Sequence, residues 1–189
     1  MDSADLDRLL QRARKRDAQA LEKLVDMYSS RVFGMLYRLT GSREAAEDLL
    51  QETFLRVVRM IGNYQHAGRF ESWLFRIAAN LARDHARRGR RRGQRATLEG
   101  SERDGAGAVP AVDPRTDPGA RLLEREAGER LNACLHELPE MDREIIVLRH
   151  FSGLSFREIA DVLEIPLGTA LARAHRALRR LRESFREES

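Results

Sequence analysis

Apolar side chains recur along most of the chain at the spacing of three and four residues that places them on one side of an α-helix. No stretch shows the pattern of a half-buried strand, in which apolar or β-branched residues alternate with polar ones. In the first half, the periodic positions form three stripes, over 21–35, 46–61 and 70–81, and Ser42 precedes the second stripe as a predicted N-cap. The pattern predicts an all-α protein in which these three helices enclose one core.

The periodic pattern stops between Gly93 and Gly119. This stretch contains five glycines, three prolines and no aromatic residue, so it buries too little apolar surface to offset the entropy lost on ordering it. We therefore predict two small helical domains, residues 1–92 and 120–189, joined by a flexible and slightly acidic linker over 93–119.

In the second half, the pattern predicts a short helix, a turn and a longer basic helix. Ser155 and Glu158 have the spacing of a capping box, the helix that they open reaches Leu163, and residues 164–166 interrupt it. A last helix begins near Leu167. This outline is that of a helix-turn-helix, whose second helix enters the DNA major groove. An ordinary solvated helix pair in a bundle is the alternative.

Basic side chains are concentrated in two places. Residues 1–95 carry 20 basic and 12 acidic side chains, and residues 173–186 carry six arginines against Glu183 alone. Two separate basic surfaces suggest a polyanion that is contacted twice. The alternative is that these are ordinary solvated faces in a protein where arginine has replaced lysine throughout, as in a high-GC genome. Lys15 and Lys23 are indeed the only lysines.

The composition argues against a membrane protein, a secreted protein and an enzyme. No apolar run exceeds four residues, the first residues are acidic rather than basic and apolar, and Cys134 is the single cysteine. The five histidines have no metal-ligand spacing, and no phosphate-binding glycine loop is present. We expect a cytoplasmic protein with no membrane insertion, no catalytic activity, no cofactor and no metal.

Aromatic residues precede a run of arginines on the third predicted helix. Phe70 and Trp73 come first, and Arg83 and Arg87 follow. Stacking surfaces combined with backbone-binding cations are typical of single-stranded DNA binding. Core packing is the favoured alternative for Phe70 and Trp73, whereas Tyr64 falls in a predicted loop, where a core role is less expected.

Four segments resemble the extracytoplasmic-function (ECF) group of bacterial sigma factors, in the same order as in that family. They are AEDLLQETF at 46–54, FESWLFRIAANL at 70–81, LSFREIA at 154–160 and IPLGT at 165–169. The resemblance implies a dissociable initiation subunit of RNA polymerase. Its first domain would dock on the polymerase clamp and melt and read the minus-ten promoter element, and its second would read the minus-thirty-five element as duplex DNA.

Matched position by position, the resemblance implies three sets of functional residues. The polymerase-docking set is Asp48, Gln51 and Glu52. The minus-ten set is Asn63, Tyr64, Trp73, Arg76, Asn80, Arg83, Asp84, Arg87 and Arg88. The minus-thirty-five set is Ser155, Arg157, Thr169, Ala172, Arg173, Arg176 and Arg180. A plain solvated helix face is the alternative for the docking set.

Three positions in the second half depart from the family pattern. A polar or basic pair is usual where this chain has Leu171 and Ala172, and glycine is usual where it has Glu164. Helical geometry places Leu171 beside the core stripe and Ala172 on the arginine side. We expect Leu171 to widen the core face, and Ala172 to offer the groove only a methyl group.

The partners implied by the resemblance are core RNA polymerase, promoter DNA and an anti-sigma protein of the kind that commonly inhibits family members. A helix-turn-helix regulator that is not a polymerase subunit is the main alternative, but it would leave the segments at 48–54 and 70–88 unexplained. A polymerase-binding adaptor that does not start transcription is a further alternative.

Overall fold

The computed structural model describes residues 3–65, 69–96 and 118–187, and within these ranges the chain is all-α, with no strand. The prediction of fold class is confirmed. The helices are α1 Ser3–Arg14, α2 Ala18–Thr40, α3 Arg43–Met60, α4 Phe70–Ala96, α5 Pro118–Glu137, α6 Glu140–Phe151, α7 Phe156–Leu163 and α8 Leu167–Glu187, with a 3-10 turn at Ile61–Asn63. The described part of the predicted linker belongs to α4 and α5, and its remainder, 97–117, lies outside the described residues.

Side-chain caps fix where the helices begin. Ser42 Oγ accepts a hydrogen bond from the Ala45 N–H at 3.2 Å, as predicted. Ser155 and Glu158 form the predicted capping box, in which Ser155 Oγ accepts from the Glu158 N–H at 3.3 Å and the Glu158 carboxylate accepts from the Ser155 N–H at 2.9 Å. Each such cap stabilises its helix by about 1 kcal/mol.

In the first half of the chain, α2, α3 and α4 pack against one another along the predicted stripes. Leu24, Val32 and Leu74 are almost completely buried there. The stripes did not include α1, which adds Leu9 and Leu10 to the same core and contacts both α2 and the 3-10 turn.

In the second half, α6 and α7 pack against α8. The buried side of α8 is formed mainly by small residues, Ala170, Ala174 and Ala177, which allow the helices to approach closely. The expectation that Leu171 widens the core face is wrong, because its side chain is 47% exposed. The buried side of α8 is the narrow stripe of these alanines, and Leu171 lies outside it and faces solvent, as Ala172 does.

The two halves also contact each other, with α2 against α6 and α4 against α7, and their buried side chains form one continuous core. The guanidinium carbon of Arg38 lies 4.0 Å from the centre of the Phe151 ring. Nearby, the His136 ring lies against Gly41, the residue that ends α2 with a φ of 71°. A Cβ at position 41 would be 2.7 Å from His136 Cε1, so glycine is required there for space as well as for conformation.

Glu164, where the family usually has glycine, ends α7 in the left-handed conformation with φ 55° and ψ 43°. Its N–H caps the helix by donating to the Ala160 carbonyl. A residue with a Cβ pays a steric penalty of about 1 kcal/mol in this region. The departure from glycine therefore strains the turn between the two helices.

We expect Glu164→Gly to raise the free energy of unfolding by about 0.5–1 kcal/mol, because relief of the strain exceeds the added entropy of the unfolded chain. Urea denaturation followed by circular dichroism measures the change. Glu164→Ala is the matched control, since it removes the carboxylate but keeps the Cβ. A glycine variant no more stable than the alanine variant would contradict the assignment of strain.

Candidate nucleic-acid interface

The predicted docking residues lie on the exposed side of α3. Its buried side consists of Ala46, Leu49, Thr53 and Val57, which leaves Asp48 and Gln51 fully on the surface. Glu52 is half-buried, and its carboxylate accepts a hydrogen bond from Arg56 Nε at 2.8 Å. The face thus presents the Asp48 carboxylate, which forms no ion pair with another described residue, the Gln51 amide and the Glu52–Arg56 ion pair.

Leu55 also belongs to this face, although it is not among the docking residues predicted from the sequence. It follows Gln51 by one turn, and it is 52% exposed. Its signal in the sequence is a leucine that falls outside the apolar stripe of its own helix. An exposed apolar residue next to polar groups that can orient a partner is the composition of an interface centre.

A second polar face runs along α4. Arg76, Asn80, Asp84, Arg87 and Arg88 are all exposed on it at intervals of one helical turn or less. Arg56 of α3, which is not among the sequence-predicted residues, joins Asp84, Arg87 and Arg88 in lining an open cavity of about 340 Å³. Guanidinium groups around such a cavity can bind phosphate oxygens and base edges.

Arg83 lies apart from that face, in the contact between α4 and α7. Its Nη1 donates to the Val162 carbonyl at 2.7 Å and its Nη2 to the Leu163 carbonyl at 3.4 Å. Glu144 Oε2 lies 3.9 Å from its Nε. The carbonyls at the end of a helix carry partial negative charge, which a guanidinium neutralises. In this conformation, Arg83 joins the two halves of the chain.

Tyr64 lies in the predicted loop, but it is a core residue, so the expectation that a core role is less favoured there is wrong. Only 6% of it is exposed, and its ring centre lies 4.8 Å from that of Trp73 and 5.8 Å from that of Phe70. Burial raises the pKa of its hydroxyl. Phe70 is buried as well, in line with the favoured alternative, while Trp73 is half-buried and Asn63 exposed. Residues 66–68 lie outside the described ranges.

The helix-turn-helix region exposes most of the predicted residues of its set. Ser155, Arg157, Ala172, Arg176 and Arg180 are exposed, and Thr169 is half-buried near the start of α8. Arg173 differs, because its Nη1 donates to Asp142 Oδ1 of α6 at 2.8 Å. Among the described residues, the cations of this set without an ion pair are Arg157 on α7 and Arg176 and Arg180 on α8, and Thr169 lies near the start of α8.

Within the described residues, no group of three or more histidine, cysteine, aspartate or glutamate side chains is arranged to bind a metal ion. In the same residues, no helix is both long and apolar enough to cross a membrane.

Two family models match the chain: Sigma-70 region 2 over residues 24–92 and Sigma-70, region 4 over residues 128–181. Among curated proteins, the ECF RNA polymerase sigma factor SigE of Mycolicibacterium smegmatis is 40% identical over 89% of this chain, which spans 62% of that relative. The RNA polymerase sigma-H factor of Pseudomonas aeruginosa is 33% identical over 89% of this chain and 88% of its own length. For SigW of Bacillus subtilis, another ECF RNA polymerase sigma factor, the identity is 30%, over 94% of this chain and 95% of the relative.

Two solved structures have the same fold. The sigma factor RpoE of Bartonella quintana, in complex with the anti-sigma factor NepR, aligns with a TM-score of 0.67 at 21% identity over 87% of this chain and 96% of its own. CnrH, in complex with the cytosolic domain of CnrY, aligns with a TM-score of 0.64 at 22% identity over 96% of this chain and 97% of its own.

Proposed function

Because the chain belongs to the ECF group of the sigma-70 family, a group that directs transcription initiation, we propose that its two halves divide promoter recognition. Residues 1–92 dock on core RNA polymerase and open and read the minus-ten element. Residues 120–189 read the minus-thirty-five element. The observation that carries this division is the exposure of three different polar faces, on α3, α4 and α8, in chain order.

Docking on core polymerase uses the α3 face of Asp48, Gln51, Glu52 and Leu55. The Asp48 carboxylate has no ion pair among the described residues, so it is available for a cation of the partner. Leu55 supplies apolar area that the partner removes from water. Arg56 keeps the Glu52 side chain in place through the 2.8 Å hydrogen bond.

The α4 face binds the minus-ten strand after melting. Arg76, Arg87 and Arg88 bind its phosphates. Asn80 can both donate and accept hydrogen bonds at base edges, and the Asp84 carboxylate can accept them. An unstacked base needs a ring to lie against and polar groups at its edge. The half-buried Trp73 offers the ring, exposed Asn63 offers the polar group, and Tyr64 supports Trp73 from the core side.

The α8 face reads the minus-thirty-five duplex. Arg176 and Arg180 are one turn apart and exposed, so both can enter the major groove together. Ala172 contributes a methyl group on the same side, and Thr169, Ser155 and Arg157 lie near the turn where helix-turn-helix proteins contact the backbone.

Regulation by an anti-sigma protein is part of this proposal, since RpoE was solved in complex with the anti-sigma factor NepR and CnrH in complex with the cytosolic domain of CnrY. The chain itself contributes recognition, while bond formation takes place on the core enzyme, so we expect no catalytic centre in it. From these proposed partners, polymerase and promoter DNA, we infer a location in the bacterial cytoplasm.

Run-off transcription tests the proposed function as a whole. Core polymerase is combined with genomic DNA fragments, with and without the full chain. We expect defined transcripts only when the chain is present, and co-purification of the chain with core polymerase. A chain that binds the same fragments without core enzyme, and produces no transcript with it, would be a helix-turn-helix regulator instead.

The docking face gives the first prediction about polymerase. Asp48→Ala combined with Gln51→Ala should weaken binding to core polymerase by about 30-fold, since an interface hot spot contributes on the order of 2 kcal/mol. Both side chains are exposed, so the fold should not change. Fluorescence titration of labelled chain with core enzyme measures the affinity.

The matched control is Gln19→Ala combined with Glu22→Ala. It also removes one amide and one carboxylate three residues apart, but from an exposed part of α2. This control should bind as tightly as the parent. Equal affinity of both double variants, at equal helicity, would remove the α3 face from the docking surface.

A further inference from the structure

The arginines of α8 are of two kinds in the structure. Arg176 and Arg180 are exposed, and no ion pair joins either of them to another described residue. Arg173 is bound to α6, with its Nη1 at 2.8 Å from Asp142 Oδ1. Its side chain is only 33% exposed, and its Nε is buried without a hydrogen-bond partner among the described residues. The guanidinium of Arg173 is thus drawn into the groove between α6 and α8.

Asp142 is built into the start of α6. It occupies the first turn of that helix, its N–H donates to the Pro139 carbonyl at 2.9 Å, and its side chain is 5% exposed. The positive end of the helix dipole favours a carboxylate at this position. A buried carboxylate still needs a cation or several donors close by. Arg173, thirty-one residues later, supplies that cation.

A pair of this kind constrains the geometry of the helix that carries it. Arg173 follows Thr169 by one turn and precedes Arg176 by less than one turn, so a fixed Arg173 fixes the rotation of α8 about its axis. The small buried side of α8 would allow the helix to rotate or slide, because alanines offer little interlocking surface. The ion pair between Arg173 and Asp142 removes that freedom in the first half of α8, the part that is proposed to enter the DNA major groove.

We propose that Arg173 is a positioning residue, whose pair with the buried carboxylate of Asp142 orients α8 so that Arg176 and Arg180 meet the DNA. This assignment rests on the proposed reading of the minus-thirty-five element by α8. It replaces direct DNA contact, the role that the resemblance implies for Arg173, by an action through the neighbouring helix.

Asp142→Asn separates the two roles, because they predict changes of opposite sign. If Arg173 contacts DNA, neutralising Asp142 frees the guanidinium and removes a negative charge, so binding becomes equal or tighter. If Arg173 positions α8, the same substitution weakens binding of the holoenzyme to minus-thirty-five DNA by about tenfold, although the protein has become more positive. Asparagine has nearly the same shape as aspartate, which protects the fold.

The experiment uses full-length chain assembled with core polymerase and measures affinity for a promoter fragment, with and without its minus-thirty-five element. The variants are Asp142→Asn, Arg173→Gln, their combination and Arg173→Lys. We expect each single substitution to weaken element-dependent binding by about tenfold and the combination to weaken it no further, since both break one pair. Arg173→Lys should recover part of the loss, because an ammonium can still approach the carboxylate.

Asp161→Asn is the matched control, since it neutralises an exposed carboxylate of α7 in the same half of the chain. It should leave binding unchanged or slightly tighter. Circular dichroism and thermal melting of each variant report separately on folding. Loss of stability with unchanged affinity of the folded protein would reduce the pair to a structural role and overturn the proposal.

Two other outcomes also overturn it: additive losses in the combined variant, or tighter binding of Asp142→Asn. Arg176→Ala, measured alongside, distinguishes this failure from failure of the proposed function. If Arg176→Ala also leaves element-dependent binding intact, the error lies in the assignment of α8 to DNA, and not only in the role of Arg173.

Discussion

Arg176→Ala should remove most of the recognition of the minus-thirty-five element, because Arg176 is an exposed and unpaired cation at the centre of the α8 face. A bidentate contact between arginine and a guanine edge discriminates by about 1–3 kcal/mol, so we expect binding of that element to weaken by about 10- to 100-fold. Titration of promoter fragments with holoenzyme at several salt concentrations measures the loss. The slope of affinity against salt should also fall by about one counterion if a phosphate is contacted.

Arg179→Ala is the control for this experiment. It removes the same side chain from the same helix, but Arg179 is 65% exposed and lies 3.9 Å from Glu183 in a surface ion pair of little energetic weight. Its loss should change affinity by much less than that of Arg176. If the two variants bind alike, α8 does not enter the groove in the proposed orientation.

Promoter opening should fail when Arg83→Ala is combined with Arg87→Ala, while binding to duplex that carries only the minus-thirty-five element should persist. Arg87 is exposed on the polar face of α4, where a contact with an unpaired strand contributes about 1–3 kcal/mol, and Arg83 holds α4 against α7. The double variant should therefore open about 10-fold less promoter. Permanganate reactivity of thymines in the melted region measures opening.

Removal of two exposed cations, Arg8 of α1 and Lys15 in the turn after it, by Arg8→Ala and Lys15→Ala, controls for the general loss of positive charge. Those substitutions should leave thymine reactivity near that of the parent. Single Arg87→Ala separates the exposed arginine from Arg83, whose loss also breaks the contact with α7. Normal opening by the double variant would remove α4 from the minus-ten site.

The features predicted correctly from the sequence are those that depend on residues close together in the chain. The Ser155 capping box, the cap at Ser42 and the break after Leu163 each follow from a few neighbouring side chains. The same holds for the exposure of Asp48 and Arg176, because helical periodicity decides which side of a helix faces the core. Local rules therefore sufficed for the helices and for most of the candidate surfaces.

The features that the sequence did not predict depend on contacts between distant segments. Arg83 binds carbonyls that are 79 and 80 residues away, and nothing near Arg83 in the chain indicates them. Tyr64 is an aromatic residue, which packs equally well against other rings or against a base, so only the positions of Phe70 and Trp73 reveal its burial. The angular position of Leu171 predicts a core side chain, but the buried side of α8 is too narrow a stripe to include it, and the width of that stripe depends on the packing of α6 and α7.

The contact of Gly41 with His136 limits how this protein can change during evolution. Two adverse effects of a larger residue at position 41 are separate: the backbone is left-handed there, and the imidazole fills the volume of a Cβ. A substitution of His136 by a smaller residue would relieve the crowding and leave the conformational penalty untouched. A change at position 136 alone therefore cannot release this glycine, whereas Gly41 itself leaves room for a smaller side chain in place of His136.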